Sequence, residues 1–370
     1  MVMKDKIKIA LYCLLVTWVH YSRAGESIFI NSFELTKPKN IFFSGHSLMD
    51  NPYADYLESI SVSLNKTVNW NQQIGLGSPI RVRTSGSALP PNNWQGYLLG
   101  KNKVGFDMNV IQELSNPATI GVNAQYDFLI ITERHDLFDT ILWEYTNSLL
   151  RHYHDRLLAG NANAKTLFFH SWLPIDANNP NAWVAHESLM VQAWECVAEK
   201  VNLTLLNDGL QTNISVLPAG LALTNLVTRI LSNQVPGFVG SNASKISQLF
   251  DDDVHLNAEG IFYMAAVSYA TLFNESPVGA QVPPDIDVST GQALLQIAWE
   301  NVSQYRDNYE QKTMAQCRAV IENQICASYY NFTNRPTQIA NCQTWITNNS
   351  SWQINPFNWP DPNLIQWNFP

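Results

Sequence analysis

Along the first two thirds of the chain, short apolar runs alternate with longer stretches in which apolar residues recur every three or four positions. Runs of the first kind fall at residues 40–44, 67–72, 128–132, 166–170 and 203–207, and their length and composition read as strands. The helical period predicts helices over 53–64, where Tyr53, Tyr56, Leu57 and Ile60 form one stripe, and over 141–158 and 182–200. This alternation predicts an α/β fold, a parallel sheet covered by helices on both faces. A stretch rich in Gly, Pro and Asn interrupts it at 75–105. From residue 285 the character changes: a helical pattern over 290–312 leads into a tail rich in Cys, Asn, Pro and Trp.

In such sheets ligands bind beyond the carboxyl ends of the strands, and Ser47, Gly77, His135 and Trp172 all follow predicted strands at that edge. Ser47 lies in Ile41-Phe42-Phe43-Ser44-Gly45-His46-Ser47-Leu48-Met49, directly after the first strand and before a helix. A strand-to-helix turn presents a hydroxyl well for nucleophilic attack. Two hundred residues on, Asp252-Asp253-Val254-His255 stands at the entrance to another helix. A serine hydroxyl attacks poorly until a base takes its proton, His suits that task at neutral pH, and a carboxylate fixes the imidazole tautomer. Asp252 has the three-residue spacing that lets a carboxylate reach back to the Nδ1 of His255, with Asp251 and Asp253 flanking it. Either motif alone says little, but their order and their places at element boundaries define a Ser/His/Asp set. Trp172 reads equally as a pocket wall or as core, and His170, inside an apolar run, as a hydrogen-bonded core histidine.

Gly45-His46-Ser47-Leu48 fits four places of the Gly-x-Ser-x-Gly elbow of α/β-hydrolases, but Met49 stands at the fifth and only one strand precedes Ser47. The chain instead resembles the SGNH (GDSL-type) hydrolases over residues 38–275. Its first block is Gly45-His46-Ser47-Leu48, with His46 where that family usually has Asp, and its last runs from 252 to 260 into the apolar helix that starts at Ile261. The second block, which supplies an oxyanion-hole glycine, falls at Asn71-Gln72-Gln73-Ile74-Gly75-Leu76-Gly77-Ser78, with Gly77 favoured over Gly75. The third departs from the family: Thr132-Glu133-Arg134-His135-Asp136 replaces Gly-x-Asn-Asp, so that His135 stands where the family has its oxyanion-hole Asn. Arg134 is the other possible donor in that block. The resemblance implies a three-layer α/β/α architecture of flavodoxin-like kind. It also implies Ser47 as nucleophile, His255 as base, Asp252 as its orienting acid, and an oxyanion hole from the N–H groups of Ser47 and Gly77 with His135.

A chain of 370 residues, 46% hydrophobic and 11% aromatic, can bury one sizeable domain with an appendage. Its net charge of -9, without a basic cluster, argues against nucleic acid and anionic membrane surfaces and for neutral or uncharged substrates; a small-molecule or glycan ester is what the resemblance adds. Lys4, Lys6 and Lys8, the apolar run 9–19 and Ser22-Arg23-Ala24 read as a secretory signal over 1–24, the run being shorter than the roughly 20 residues that span a bilayer. A signal anchor is the alternative. The chain then divides into a leader, a hydrolase-like domain over 25–284 and an appendage over 285–370, secreted or periplasmic, with no membrane span once the leader is cleaved. Cys196, Cys317, Cys326 and Cys342 remain, and one bridge is expected within the tail, with Cys196 buried and free. No Cys/His spacing indicates a metal, and no cofactor is expected. Trp345, Trp352, Trp359 and Trp367 either stack on sugar rings or pin the tail. Two functions follow: an exported serine hydrolase of esters, with acetyl esters of carbohydrate preferred, or a non-catalytic binding protein that keeps the fold. Oligomeric state is not legible.

Overall fold

In the computed structural model, residues 37–86 and 96–347 are described. The chain divides into two compact units, Met1–Pro38 and Lys39–Pro370, and every element below belongs to the second. The expected leader, residues 1–24, lies outside the described residues, as do Trp352, Trp359 and Trp367.

Among the described residues, seven strands form one sheet: β1 (Lys39–Gly45), β2 (Val68–Ile74), β3 (Gly100–Asn102), β4 (Asp107–Met108), β5 (Phe128–Thr132), β6 (Lys165–Phe169) and β7 (Ile214–Leu217), in the order β4-β3-β2-β1-β5-β6-β7. The run from β2 to β7 is parallel, whereas β3 and β4 add an antiparallel edge, so the sheet is mixed and not wholly parallel as expected. That edge hides in the Gly/Asn-rich stretch because its strands are too short to show a period. Its hairpin is made by Gly105 at φ +90 and by Asn102, whose Oδ1 accepts the Phe106 N–H.

The middles of β1, β5 and β6 are runs of apolar residues because both faces are covered. Ile41 and Phe43 of β1 enter one core and Phe42 the other, and Ile130 is likewise separated from Leu129 and Ile131. The helices are α1 (Tyr53–Ser63), α2 (Ile80–Ser85), α3 (Val110–Ser115), α4 (Leu137–Trp143), α5 (Thr146–Gly160), α6 (Pro180–Asn207), α7 (Ala219–Leu231), α8 (Asn242–Ile246), α9 (Ala258–Phe273), α10 (Val288–Asn308), α11 (Met314–Val320), α12 (Cys326–Phe332) and α13 (Ile339–Thr347). The first core takes residues of α1, α7, α9 and α10, the second residues of α3 to α6 and of the tail helices.

Two elements differ from expectation. Residues 203–207 are the last turns of α6, not a strand: Val197, Val201 and Leu205 continue its buried stripe. The strand comes later, as β7, where Asn202 of α6 accepts the Ile214 N–H at 2.7 Å and donates to the Ile214 carbonyl at 2.9 Å. The helix expected over 141–158 is two, α4 and α5, separated by Tyr145 at φ 57. The tail contributes Cys317, Ile321, Ile325, Cys326 and Tyr329 to the second core. Cys326 pairs with Cys342 inside the tail, but Cys196 is not free: it is bonded to Cys317 and ties α6 to α11. Trp345 is buried against Phe138 of α4, with ring centroids 6.3 Å apart.

Candidate active site

The parallel strands run in the order second, first, third, fourth, fifth, so the loops after β1 and β5 leave the sheet where the strand order reverses, the usual place for a ligand in such folds. β1 ends at Gly45, and a single turn of 3-10 helix, Ser47–Met49, begins at Ser47. Gly45 must lack a Cβ because one would meet the Met49 side chain at 2.7 Å. His46 caps the turn: its Nε2–H donates to the Glu133 carbonyl at 3.1 Å, which leaves Nδ1 to accept the Leu48 N–H. Burial, with the Arg83 guanidinium and His135 nearby, pushes His46 down to about 3. A neutral ring thus replaces the carboxylate that the resembled family carries beside its serine.

The loop 249–257 carries the second half of the set. Bonds from Asp251 N–H to the His255 carbonyl and from Asn257 N–H to the Leu249 carbonyl pair Phe250 with Leu256 in an antiparallel bridge and close it into a tight turn. Asn257 then caps α9. Within the turn, Asp252 Oδ1 accepts the N–H groups of Val254 and His255 at 2.7 and 2.6 Å, and Oδ2 accepts from His255 Nδ1 at 2.6 Å. Since a carboxylate only accepts, Nδ1 carries the proton and Nε2 presents its lone pair. Ser47 Oγ donates to that Nε2 at 2.8 Å. Desolvation works to raise the Asp252 pKa, but the His255 backbone and ring bonds outweigh it and hold the carboxyl at about 2. Ser47, His255 and Asp252 therefore form one hydrogen-bonded series, in the register expected, with Asp253 outside it.

In the turn after β2, the Gly75 N–H is already used, donating to the Gly45 carbonyl at 2.8 Å, and Ser78 bonds back to Gly75 through its N–H and hydroxyl. Gly77 sits at φ +63, a conformation that favours glycine, and its N–H has no partner among the described residues. Of the two glycines, Gly77 keeps a donor to offer. After β5, Glu133 is buried and accepts from Ile80 N–H, Arg134 N–H and Thr146 Oγ. Burial lifts its carboxyl to about 7 against the pull of Arg83. Arg134 is engaged in a bidentate pair with Asp136. His135 is half-buried with its ring 6.3 Å from that of His46, its pKa lowered chiefly by burial, and its ring nitrogens have no hydrogen-bond partner among the described residues.

Trp172 does not line a pocket. It is fully buried, packed in the first core, and its Nε1–H donates to the Val254 carbonyl at 2.9 Å, beside His255. His170 is core, but it is not hydrogen-bonded as expected: its ring nitrogens have no hydrogen-bond partner among the described residues, and a carboxyl oxygen of Glu187 lies 3.7 Å from its Nε2.

A buried polar network under the site escapes sequence reasoning. Arg83 donates to Ser44 Oγ, to the Ser78 carbonyl and to the Thr132 carbonyl, while Gln73 joins Ser44, the Arg83 carbonyl and Tyr153. It knots the ends of β1, β2 and β5. The available signal is the three-residue spacing of Ile80 and Arg83, which places both on the buried face of α2.

No family model matches the chain, and no curated protein matches its sequence. In fold it is similar to a crystal structure of a DUF4886 family protein from Bacteroides uniformis ATCC 8492, with a TM-score of 0.50 and 13% identity, covering 74% of this chain and 98% of that one. At that identity the likeness concerns the fold alone.

Proposed function

We propose that the chain is a serine hydrolase of carboxylic esters that works through a covalent acyl-Ser47 intermediate. The observation that carries this reading is the series Ser47–His255–Asp252 at the carboxyl edge of the sheet. As Ser47 Oγ attacks the ester carbonyl, His255 Nε2 takes its proton, and Asp252 holds the ring and offsets the charge it gains. Collapse of the tetrahedral intermediate breaks the bond to the alcohol, which leaves with the proton from Nε2. Water then attacks the acyl-serine by the same route and releases the acid and Ser47. The Ser47 and Gly77 N–H groups and the neutral His135 ring supply the oxyanion donors. The strand order and the first and last sequence blocks support the three-layer SGNH arrangement. Two disulfides favour an exported protein, in keeping with the leader-like residues 1–24.

The altered third block favours one second reading, a binding protein that has kept the fold without turnover. Fluorophosphonate labelling and 4-nitrophenyl acetate turnover decide between them. Wild-type protein is expected to be labelled at Ser47 alone and to turn the ester over, with both lost in Ser47→Ala. Folded wild-type protein that takes no label leaves the binding reading, and labelling that persists in Ser47→Ala places the nucleophile elsewhere.

A further inference from the structure

A cavity of about 880 Å³ opens against Asp252 and Asp253, between the loop after β6 and the turn that ends α12. We propose that this groove holds the alcohol half of the substrate, and that this half is an uncharged, hydroxyl-rich sugar unit. The inference rests on the hydrolase reading above, because it assigns the leaving group of that reaction.

Direction comes first. The proton released by His255 Nε2 goes to the leaving oxygen, so the alcohol lies on the imidazole side of the acyl carbon. Behind that imidazole stands Asp252, which lines the groove although Ser47 and His255 do not. An alcohol long enough to extend past the imidazole on that side meets the groove.

The lining then selects the chemistry. Asp176, Asp252 and Asp253 face the groove and no Lys or Arg does, which disfavours phosphate- or carboxylate-bearing alcohols. Asp252 is already saturated by its loop and by His255. The side chains of Asn179, Asn331 and Asn334 also line the groove, and none has a hydrogen-bond partner among the described residues. Amides that donate and accept, next to carboxylates that accept, match the paired donor and acceptor character of sugar hydroxyls. Phe332, fixed by stacking on His186 at a centroid distance of 4.4 Å, adds an apolar patch suited to the C–H face of a sugar ring. The wall is rigid: the Cys326–Cys342 bond anchors α12, and Arg335, one residue past the turn, is paired with Asp139.

The test compares 4-nitrophenyl acetate, whose leaving group bears no hydroxyl beyond the scissile oxygen, with acetylated xylo-, manno- and cello-oligosaccharides. In Asn179→Ala and Asn334→Ala, the ratio of kcat/KM for the best sugar acetate to that for the nitrophenyl ester is expected to fall at least tenfold, mainly through KM. An unchanged ratio overturns the proposal. So does a wild-type enzyme that cleaves the nitrophenyl ester but none of the sugar acetates, or one that prefers acetylcholine, whose cationic alcohol the same carboxylates would attract. If the wild type cleaves no ester at all, the hydrolase reading fails separately. The groove is then judged by calorimetric titration with the deacetylated oligosaccharides: binding that Asn334→Ala weakens tenfold keeps a sugar site there, and no binding ends it.

Discussion

His135 stands where the resembled family places an amide, yet its surroundings suit it to the same task. Burial keeps the ring neutral at ordinary pH, and a neutral imidazole still has one N–H to give. Arg134, the competing donor, is committed to Asp136. His135→Ala is expected to lower turnover of 4-nitrophenyl acetate by about 100-fold, the usual cost of one oxyanion donor, with KM little changed. His135→Asn should restore part of the loss. Steady-state kinetics on the three proteins decides it, and wild-type rates in His135→Ala would mean that the hole is built without this loop. At this scale the legible residues were those whose chemistry is local: Ser47 at the end of its strand, and Asp252 three places before His255. Arg83 and Gln73 were illegible because their partners are chosen by the register of β1, β2 and β5, which no single segment contains.

Trp172 illustrates how an element, rather than a side chain, builds the site. The segment after β6 holds the loop of His255 by two bonds, from Trp172 Nε1–H to the Val254 carbonyl and from Ile175 N–H to the Asp253 carbonyl. Trp172→Phe keeps most of the buried volume but leaves the Val254 carbonyl unpaired, at a cost of about 1 to 3 kcal/mol. The expected result is a lower denaturant midpoint and a reduced kcat at nearly constant KM; unaltered kcat would show that the loop holds itself. Strands buried on both faces, such as β1, β5 and β6, were legible as apolar runs of the right length. Residues 203–207 misled because a short apolar run has no period of its own, and only the stripe of α6 makes it helical. The β3–β4 hairpin is pairing without pattern.

For the molecule as a whole, the Cys196–Cys317 bond closes a loop of 121 residues and joins α6 to the tail. Replacing both cysteines by serine is expected to cost about 2 to 5 kcal/mol, measured by urea unfolding, with intact mass before and after reduction reporting the bond itself. A loss well below this would mean that packing of Ile321, Ile325 and Tyr329 holds the tail without the cross-link. The described part of the segment after 285, residues 286–347, set apart by composition, shares its cores with the rest because composition reports what a segment is made of and not what it packs against. The separation of Ser47 from His255 has a consequence in time. Ser47 sits at the end of the first strand, in the middle of the finished sheet, but its hydrogen-bond partner His255 follows 208 residues later. On the mechanism proposed above, the serine emerges early in synthesis and lacks its base until the chain has grown past the 252–255 loop. A ribosome that stalls before that point, or a protease that removes that loop, leaves a polypeptide without the base.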